Sequence, residues 1–160
     1  MIRPLKADEW QLLRDIRLRA LADAPSAFAA TLEQARAFRD DEWRRRARGW
    51  RAVGDVTFVC EGDGMVVGVR AGDDCWLGAM WVAPERRREG IGLGLANAVI
   101  EWARSWGAKR VLLGVAEGNR PAAALYERLG FVQTGSCEVV RDALIEIEYA
   151  LNLDSAPEQR

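Results

Sequence analysis

The sequence contains no histidine. Zinc sites with histidine ligands, Ser-His-Asp triads and histidine general bases are therefore excluded, whatever the fold. Cysteine is scarce as well, since Cys60, Cys75 and Cys137 are an odd number, lie far apart and show no CxxC spacing. This pattern predicts reduced thiols in a cytoplasmic protein, and neither a disulfide framework nor a metal site is expected.

Long apolar runs are also missing, because Arg, Asp or Glu interrupts every stretch that could approach the ~20 apolar residues of a membrane span. The segment from Met1 to Lys6 lacks the apolar run of a signal peptide. We therefore expect a cytoplasmic chain with no membrane partner. Lysine is rare too: only Lys6 and Lys109 are lysines among 23 basic residues, a bias typical of high-GC bacterial genomes.

The chain has no excess of charge of one sign. It carries 23 basic and 24 acidic residues, which gives a net charge of −1. A protein whose main task is to bind nucleic acid normally has a clear basic excess, so no nucleic-acid partner is expected.

The 160 residues are enough for one compact domain. We predict a single domain over residues 1–153 and a polar, disordered tail at 154–160. Apolar periodicity and turn residues predict a mixed α/β fold with the order β-α-α-β-β-β-α-β-α-β-β, in which the three central strands form an antiparallel meander. The predicted helices cover 8–23, 31–50 with an interruption near 39–41, 90–106 and 119–129, and the predicted strands cover 3–5, 56–60, 65–71, 75–82, 110–116, 131–134 and 144–151.

The first two helical segments are predicted to be amphipathic. Asp8 is the expected N-cap of the first, which has Leu13 and Ile16 on its apolar face and Arg14 and Arg17 on the other. In the second segment, the run at 44–46 consists of three arginines and is interpreted as a solvated face.

The segment from Pro84 to Leu95 has the composition of an anion site. A strand ends at Pro84, a basic loop follows, and Gly90 and Gly92 open a helix. Free N–H groups at a helix N-terminus attract anions, and glycines let a phosphate approach the backbone closely. A P-loop is excluded because Leu93 stands where the motif needs Gly-Lys-Ser/Thr. A dinucleotide-binding fingerprint is excluded because Leu95 replaces its third glycine.

The remaining pattern, Arg87-x-x-Gly90-x-Gly92, resembles the coenzyme A motif of the GNAT superfamily, the acetyl-CoA-dependent N-acetyltransferases. The segment from Asn119 to Phe131 resembles the second signature of that superfamily, N-x-x-A-x-x-L-Y-x-x-x-G-F, at every one of its positions. One predicted helix and one predicted strand separate the two motifs, as the family topology requires. On these residues the chain is identified as a member of the superfamily over essentially its whole length.

The resemblance implies a GNAT-like fold, in which a central, mostly antiparallel sheet splays between its fourth and fifth strands and is flanked by helices. It also implies acetyl-CoA as the cosubstrate and no metal. In that fold the pantetheine arm pairs with the backbone of the fourth strand, the pyrophosphate lies on the backbone N–H groups of the glycine-rich loop, and Asn119 touches the pantetheine. The implied cofactor-binding residues are Trp81, Val82, Ala83, Arg87, Arg88, Glu89, Gly90, Ile91, Gly92, Asn119 and Tyr126.

The resemblance further implies that Tyr126 is the general acid that protonates the departing thiolate. A phenol with a pKa of about 10 can protonate a thiolate whose conjugate acid has a pKa of about 8.5. A backbone N–H near Val82 would polarise the thioester carbonyl. The general base departs from the family pattern, because the fourth strand has no carboxylate after Asp74. Glu117 and Glu33 are the candidate bases, and each can equally be read as a surface carboxylate.

The implied reaction is direct attack of a primary amine, carried by a small molecule or a peptide, on the acetyl group. In this family, specificity comes from regions that correspond here to 24–33 and to a loop at 136–142, so Phe28, Glu33 and Glu138 are predicted to bind the acceptor. Two other functions stay open: an acyl-CoA sensor or partner-binding module of the same fold, and a nucleotide-binding regulatory domain. The family is also compatible with a homodimer.

Overall fold

The computed structural model describes residues 1–154, so the predicted tail lies outside the described residues from position 155 onward. The described chain forms one seven-stranded sheet with α-helices on both faces. None of its helices has the length and apolar character that crossing a membrane requires. In chain order the elements are β1 (Ile2–Pro4), α1 (Trp10–Asp23), α2 (Leu32–Arg36), α3 (Asp40–Arg48), β2 (Val56–Cys60), β3 (Gly64–Ala71), β4 (Asp74–Val82), α4 (Ile91–Ser105), β5 (Arg110–Ala116), α5 (Arg120–Arg128), β6 (Val132–Arg141) and β7 (Leu144–Asn152).

The sheet has the strand order β1-β2-β3-β4-β5-β7-β6, and every neighbouring pair is antiparallel except β4 with β5. These two parallel strands are joined by a crossover that contains α4, as a parallel pair requires. They pair only from Asp74–Arg110 to Trp76–Leu112. Beyond that point β4 pairs with β3 alone and β5 with β7 alone. The predicted splay between the fourth and fifth strands is therefore confirmed.

Each face of the sheet carries its own hydrophobic core. On one face, α4 and α5 cover a core in which Leu95, Val99 and Phe131 are almost completely buried. On the other face, α1, α2 and α3 cover a core that contains Leu13 and Trp43. An opening between two strands of the sheet therefore connects two separate helical layers.

Both ends of α5 are capped as the sequence predicts. Asn119 accepts a hydrogen bond of 3.3 Å from the Ala122 backbone N–H at the start of the helix. At its end Gly130 has a φ of +97°, and the Phe131 N–H donates to the Tyr126 carbonyl at 3.0 Å. The rings of Tyr126 and Phe131 meet edge to face with their centroids 5.6 Å apart. These contacts fix the orientation of Tyr126.

The start of α1 differs from the prediction. The N-cap position is Glu9 rather than Asp8, and the Glu9 side chain does not cap the helix. Its carboxylate instead accepts two hydrogen bonds of 2.7 Å from Arg3 and one of 2.8 Å from the Lys6 backbone N–H. The Arg3 guanidinium, together with the Lys6 N–H, lowers the pKa of Glu9 to about 2. The carboxylate therefore ties the first strand to the first helix.

The predicted interruption of the second helical segment is confirmed, because α2 ends at Arg36 and α3 begins at Asp40. The prediction that the arginines of α1 and α3 face solvent is wrong at two positions. Arg17 is only 7% exposed and Arg46 is half-buried. Both guanidinium groups lie over the ring of Trp50, at 5.3 and 4.8 Å from its centroid, so each has an aromatic face on one side in place of water.

The strand β6 is longer than predicted. It continues past Thr134 to Arg141, with two irregularities in its pairing with β7, so most of the predicted loop at 136–142 belongs to the strand. At its end the Arg141 guanidinium donates hydrogen bonds to the backbone carbonyls of Pro25, Phe28 and Ala29, at 2.8, 3.1 and 3.1 Å. The β6–β7 hairpin is thereby tethered to the segment that follows α1.

We predict that Arg141→Met lowers the free energy of unfolding by about 1–2 kcal/mol, because three carbonyls lose a charged donor. Hydrogen exchange at the amides of residues 25–29 should become faster, which mass spectrometry measures directly. Arg128→Met, at an exposed position that ends α5, is the control and should change stability by less than about 0.5 kcal/mol. Unchanged exchange at 25–29 would contradict the tether.

Candidate functional site

A cleft of about 560 Å³ lies where β4 and β5 part. Its walls come from both helical layers, so it reaches through the sheet. The residues on the α5 side include Asn119, Leu125 and Tyr126, and those on the side of α1 to α3 include Arg17, Phe28 and Trp50.

The β4 wall of this cleft contains a β-bulge. A single residue of β3, Val66, faces both Ala79 and Met80 of β4. Ala79 has a φ of +52°, in the left-handed region that residues with a side chain rarely adopt. A bulge interrupts the ladder and redirects the backbone groups around it. The part of β4 that lines the cleft is accordingly centred on the bulge, at residues 76–80.

Trp81 and Val82, which end β4, and Ala83, which follows it, are predicted to meet a pantetheine arm; they lie just beyond the bulge and do not line the cleft. The Ala83 N–H is engaged, because it donates to the Asp63 carbonyl at 2.7 Å. Trp81 is buried towards α1, and its indole N–H donates to Asp23 at 3.0 Å. The Val82 carbonyl accepts a hydrogen bond of 3.0 Å from an arginine of the following loop.

The N-terminus of α4 has the geometry of an anion site. Gly90 is the N-cap with a φ of +83°, and no side chain caps the helix. No group within residues 1–154 accepts a hydrogen bond from the N–H groups of Gly90, Ile91 and Gly92. A Cβ atom at Gly90 would meet nothing within 4 Å, which leaves room in front of these donors. The helix dipole and the free donors together fit a pyrophosphate.

The arginines of the preceding loop have different surroundings. Arg87 is engaged, because its guanidinium donates to Asp23 at 2.6 Å. Glu89 is paired with Arg86 at 3.2 Å. Arg88 is exposed and has no ion pair with residues 1–154. Of the two arginines predicted to add charge to a pyrophosphate, Arg88 has its guanidinium free to do so, whereas Arg87 links the end of β4 to α1.

Tyr126 lies in the cleft wall on α5 and is only 5% exposed. Burial raises the pKa of its hydroxyl above the usual value of a phenol. The group therefore keeps its proton at neutral pH, and this is the protonation state that a general acid needs.

The carboxylates in the cleft are not the two predicted as bases. Glu33 lies in the first turn of α2 and Glu117 follows β5; both are exposed, and neither lines the cleft. Glu138 and Glu146 line it instead, and they face each other across the β6–β7 ladder. Burial, and then the charge of Glu138, raise the pKa of Glu146 above that of an ordinary glutamate.

Glu146 is not among the residues predicted from the sequence, because the family pattern places the carboxylate on the fourth strand. Glu146 belongs to β7, where pairing with β5 sets it opposite Ala116 at the open end of the cleft. Gly114 leaves room for it, since a Cβ atom there would lie 2.9 Å from a Glu146 carboxylate oxygen. The signal in the sequence is the alternation Ile145-Glu146-Ile147, which predicts that glutamates line one face of the last strand.

Two of the three residues predicted to bind the acceptor lie in the cleft. Phe28 is buried in the cleft wall, and Glu138 lies at its open side. Arg17, which the sequence assigned to a solvent face, also lines the cleft and lies 4.8 Å from the centroid of the Phe28 ring. The side of the cleft that faces α1 therefore combines aromatic rings with a buried cation.

Comparison with known proteins gives one family. The sequence model of the acetyltransferase (GNAT) family matches residues 16–131, a range that includes both sequence motifs and ends before Glu138 and Glu146. A mycothiol acetyltransferase of Thermomonospora curvata is 35% identical over 136 residues, which cover 79% of this chain and 41% of that protein. An uncharacterized N-acetyltransferase of Methanocaldococcus jannaschii is 34% identical over 107 residues, 59% of this chain and 47% of that protein.

Solved structures show the same fold. An acetyltransferase from Salmonella typhimurium, determined with its cofactor acetyl-CoA, superposes with a TM-score of 0.77 at 19% identity and covers 100% of this chain and 97% of that one. At that identity the likeness concerns the fold alone. The chain spans less than half the length of the two curated relatives named above.

We predict that Glu138→Gln lowers the pKa of Glu146, because the substitution removes the like charge that opposes ionisation. An NMR titration of the side-chain carboxyl groups in the wild-type and variant proteins measures this shift. Glu148→Gln, on the same strand two positions away, is the control and should leave the pKa of Glu146 unchanged. An unchanged Glu146 titration in the Glu138→Gln variant would show that the two carboxylates do not interact.

Proposed function

The chain belongs to the acetyltransferase (GNAT) family, and from this premise we propose that it is an enzyme that transfers an acetyl group from acetyl-CoA to an amine. The observation that carries the proposal is the cleft through the sheet. It places a buried, protonated tyrosine on one side and a partly buried glutamate with a raised pKa on the other. This is the acid and base pair that acyl transfer to an amine requires.

The residues that would hold the cosubstrate are those of the two motifs. The free N–H groups at the start of α4 fit its pyrophosphate, and Arg88 can add charge there. The route from this helix into the cleft passes Asn119 and Leu125, and the side chain of Leu125 lies 3.5 Å from where a Cβ atom at Gly92 would be. When bound, acetyl-CoA supplies an acetyl thioester to the cleft.

The backbone of the β4 bulge takes the role that the sequence assigned to an N–H near Val82. Residues 78–80 line the cleft, and the bulge removes Ala79 and Met80 from regular pairing with β3. An N–H group held there by the sheet can donate to a carbonyl oxygen as negative charge develops on it. Such fixed donors need no reorganisation during the reaction.

Glu146 is the proposed general base. An amine of pKa about 10.4 arrives protonated at neutral pH and must lose a proton before it attacks. A carboxylate with a raised pKa is a stronger base than an ordinary glutamate, and Glu146 can accept the proton directly or through a water. Tyr126 then gives its proton to the departing sulfur. Glu33 and Glu117 are less suitable because they lie outside the cleft.

The first test is thermal unfolding in the presence of acetyl-CoA, CoA, ATP and NAD. Acetyl-CoA or CoA at about 100 times its Kd should add about 2.7 kcal/mol of stability, a Tm shift of about 5–10 °C, whereas ATP and NAD should give none. Gly90→Ala should reduce the shift, because alanine at a φ of +83° displaces the donors at the helix start.

Gly107→Ala is the matched control. Gly107 lies at the other end of α4, has a φ of +80° and is equally open around its Cβ position, so its replacement carries the same strain away from the proposed site. Both variants should lose about 1–2 kcal/mol of stability, and only Gly90→Ala should lose the response to CoA. A response to ATP or NAD alone would favour a nucleotide-binding regulatory domain.

The second test concerns Tyr126. Tyr126→Phe should bind acetyl-CoA as tightly as the wild-type protein and lower kcat by about 10²–10⁴-fold, since general acid catalysis has that magnitude. Release of the CoA thiol with a panel of amines measures the rate. Tyr149→Phe, which removes the other tyrosine hydroxyl of the chain, is the control. Unchanged turnover would remove Tyr126 as the acid, and binding without turnover in the wild-type protein would favour the acyl-CoA sensor.

A further inference from the structure

The side of the cleft that faces α1 contains a charge that the protein leaves unbalanced. The Arg17 guanidinium is buried, and its Nη1 atom has no hydrogen-bond partner among residues 1–154. A buried charged donor without an acceptor is among the most unfavourable arrangements in a folded protein. Because Arg17 lines the cleft, an acceptor for this group can come from a ligand.

The neighbours of Arg17 do not supply that acceptor. The Arg17 guanidinium carbon lies 4.8 Å from the ring centroid of Phe28 and 5.3 Å from that of Trp50. Ring faces attract a cation but give no lone pair to an N–H group. The nearest charge that acts on Arg17 is Arg46, which is of like sign. Burial, and then Arg46, lower the pKa of Arg17 to about 10, so the group still carries its charge at neutral pH.

Glu42, the acidic residue next to Arg46, is already engaged in hydrogen bonds with the protein. Glu42 accepts hydrogen bonds from Arg45 at 2.8 Å and from Arg46 at 2.9 Å. Arg46 and Arg51 also contribute to the cleft wall on this side. The cleft therefore has a cationic end against α1 and α3, and an anionic end where Glu138 and Glu146 face each other.

We propose that the amine acceptor is a small molecule that also carries a carboxylate, the arrangement of a free amino acid, with its carboxylate on Arg17 and its amine towards Glu146. The inference rests on the proposed function and names the substrate class of that same site. A guanidinium forms two parallel hydrogen bonds with a carboxylate, so such a ligand satisfies the orphaned donor. A peptide N-terminus is followed by a neutral amide and leaves the guanidinium without a counter-charge.

The test compares the proteinogenic L-amino acids with the matching L-amino acid amides as acceptors, with acetyl-CoA present and thiol release as the readout. Each pair shares its side chain, and the amide replaces the carboxylate by a neutral carboxamide, as in a peptide N-terminus. The amide also has the less basic amine, so kcat/KM is compared across pH. The best amino acid should exceed its amide in kcat/KM by about 10- to 100-fold, the range expected when a charged donor loses its acceptor.

Arg17→Met should remove this preference by raising KM for the amino acid while leaving the amide unaffected. Arg14→Met is the matched control, because Arg14 lies on the same helix and also stacks on an aromatic ring, that of Trp10 at 5.3 Å, but does not line the cleft. It should keep the preference of the wild-type protein. Two results would overturn the proposal. One is an equal kcat/KM for amino acids and their amides in the wild-type protein. The other is an equal decrease in kcat/KM for both substrate sets in Arg17→Met.

The thermal stability of the variant gives a second readout. Methionine fills similar space without a charge, so Arg17→Met should have the same Tm as the wild-type protein or a higher one. A lower Tm together with an unchanged acceptor preference would mean that Arg17 serves the fold, and would overturn the proposal.

Failure of the proposed function has a different signature. If neither acids nor amides are acetylated, the acetyltransferase assignment fails, and ligand binding then decides the role of Arg17. A Tm increase with amino acids but not with amides, lost in Arg17→Met, would still support recognition of a carboxylate by Arg17. If neither the amino acids nor the amides increase the Tm, the proposal that Arg17 recognises a carboxylate is overturned.

Discussion

The strands β4 and β5 hold each other through three residue pairs and then separate, and the site depends on where that separation occurs. α4 follows β4 after residues 83–90, and α5 follows β5 after residues 117–119, so the two sequence motifs begin on opposite sides of one gap. A parallel pair without a continuous ladder leaves backbone and side chains of both strands available to a ligand. The bulge at Ala79 lies in the part of β4 that no longer pairs with β5, and it interrupts the regular register of β4 with β3 on the other edge.

Signals that are local in sequence predicted much of this architecture. The bounds of β5 agree with the prediction, and so do both caps of α5, because hydrophobic alternation, an N-cap asparagine and a C-terminal glycine each act within a few residues. The features that were missed depend on contacts between distant segments. β6 continues to Arg141 because β7 pairs with it, and Arg17 is buried because Phe28 and Trp50 pack around it. Helical periodicity alone assigns an arginine to the solvent face, and no local pattern contradicts that assignment.

The two halves of the cleft differ in the kind of recognition that they offer. At the start of α4, next to the α5 side of the cleft, the donors are backbone N–H groups at a helix terminus, which would suit any ligand with the same diphosphate. On the other side the charged groups are side chains: Arg17, buried with an unpartnered N–H group, against α1, and Glu138 and Glu146 on the β6–β7 hairpin. Such a set favours a ligand with matching charges. The buried guanidinium of Arg17, with no acceptor for its Nη1 atom among residues 1–154, is expected to lower the stability of the folded protein. Natural proteins commonly accept such a penalty where a site needs it.

The tether formed by Arg141 has a consequence for the order in which the molecule assembles. It joins positions 116 residues apart in the chain, so the segment that carries Phe28 reaches its final position only after the last hairpin has folded. Short turns connect the strands of the β2 to β4 meander, whereas the contact between Arg141 and Pro25 closes a chain segment of 116 residues. Contacts of large sequence separation slow folding. The part of the cleft wall that contains Phe28 can therefore be completed only after the C-terminal hairpin is in place.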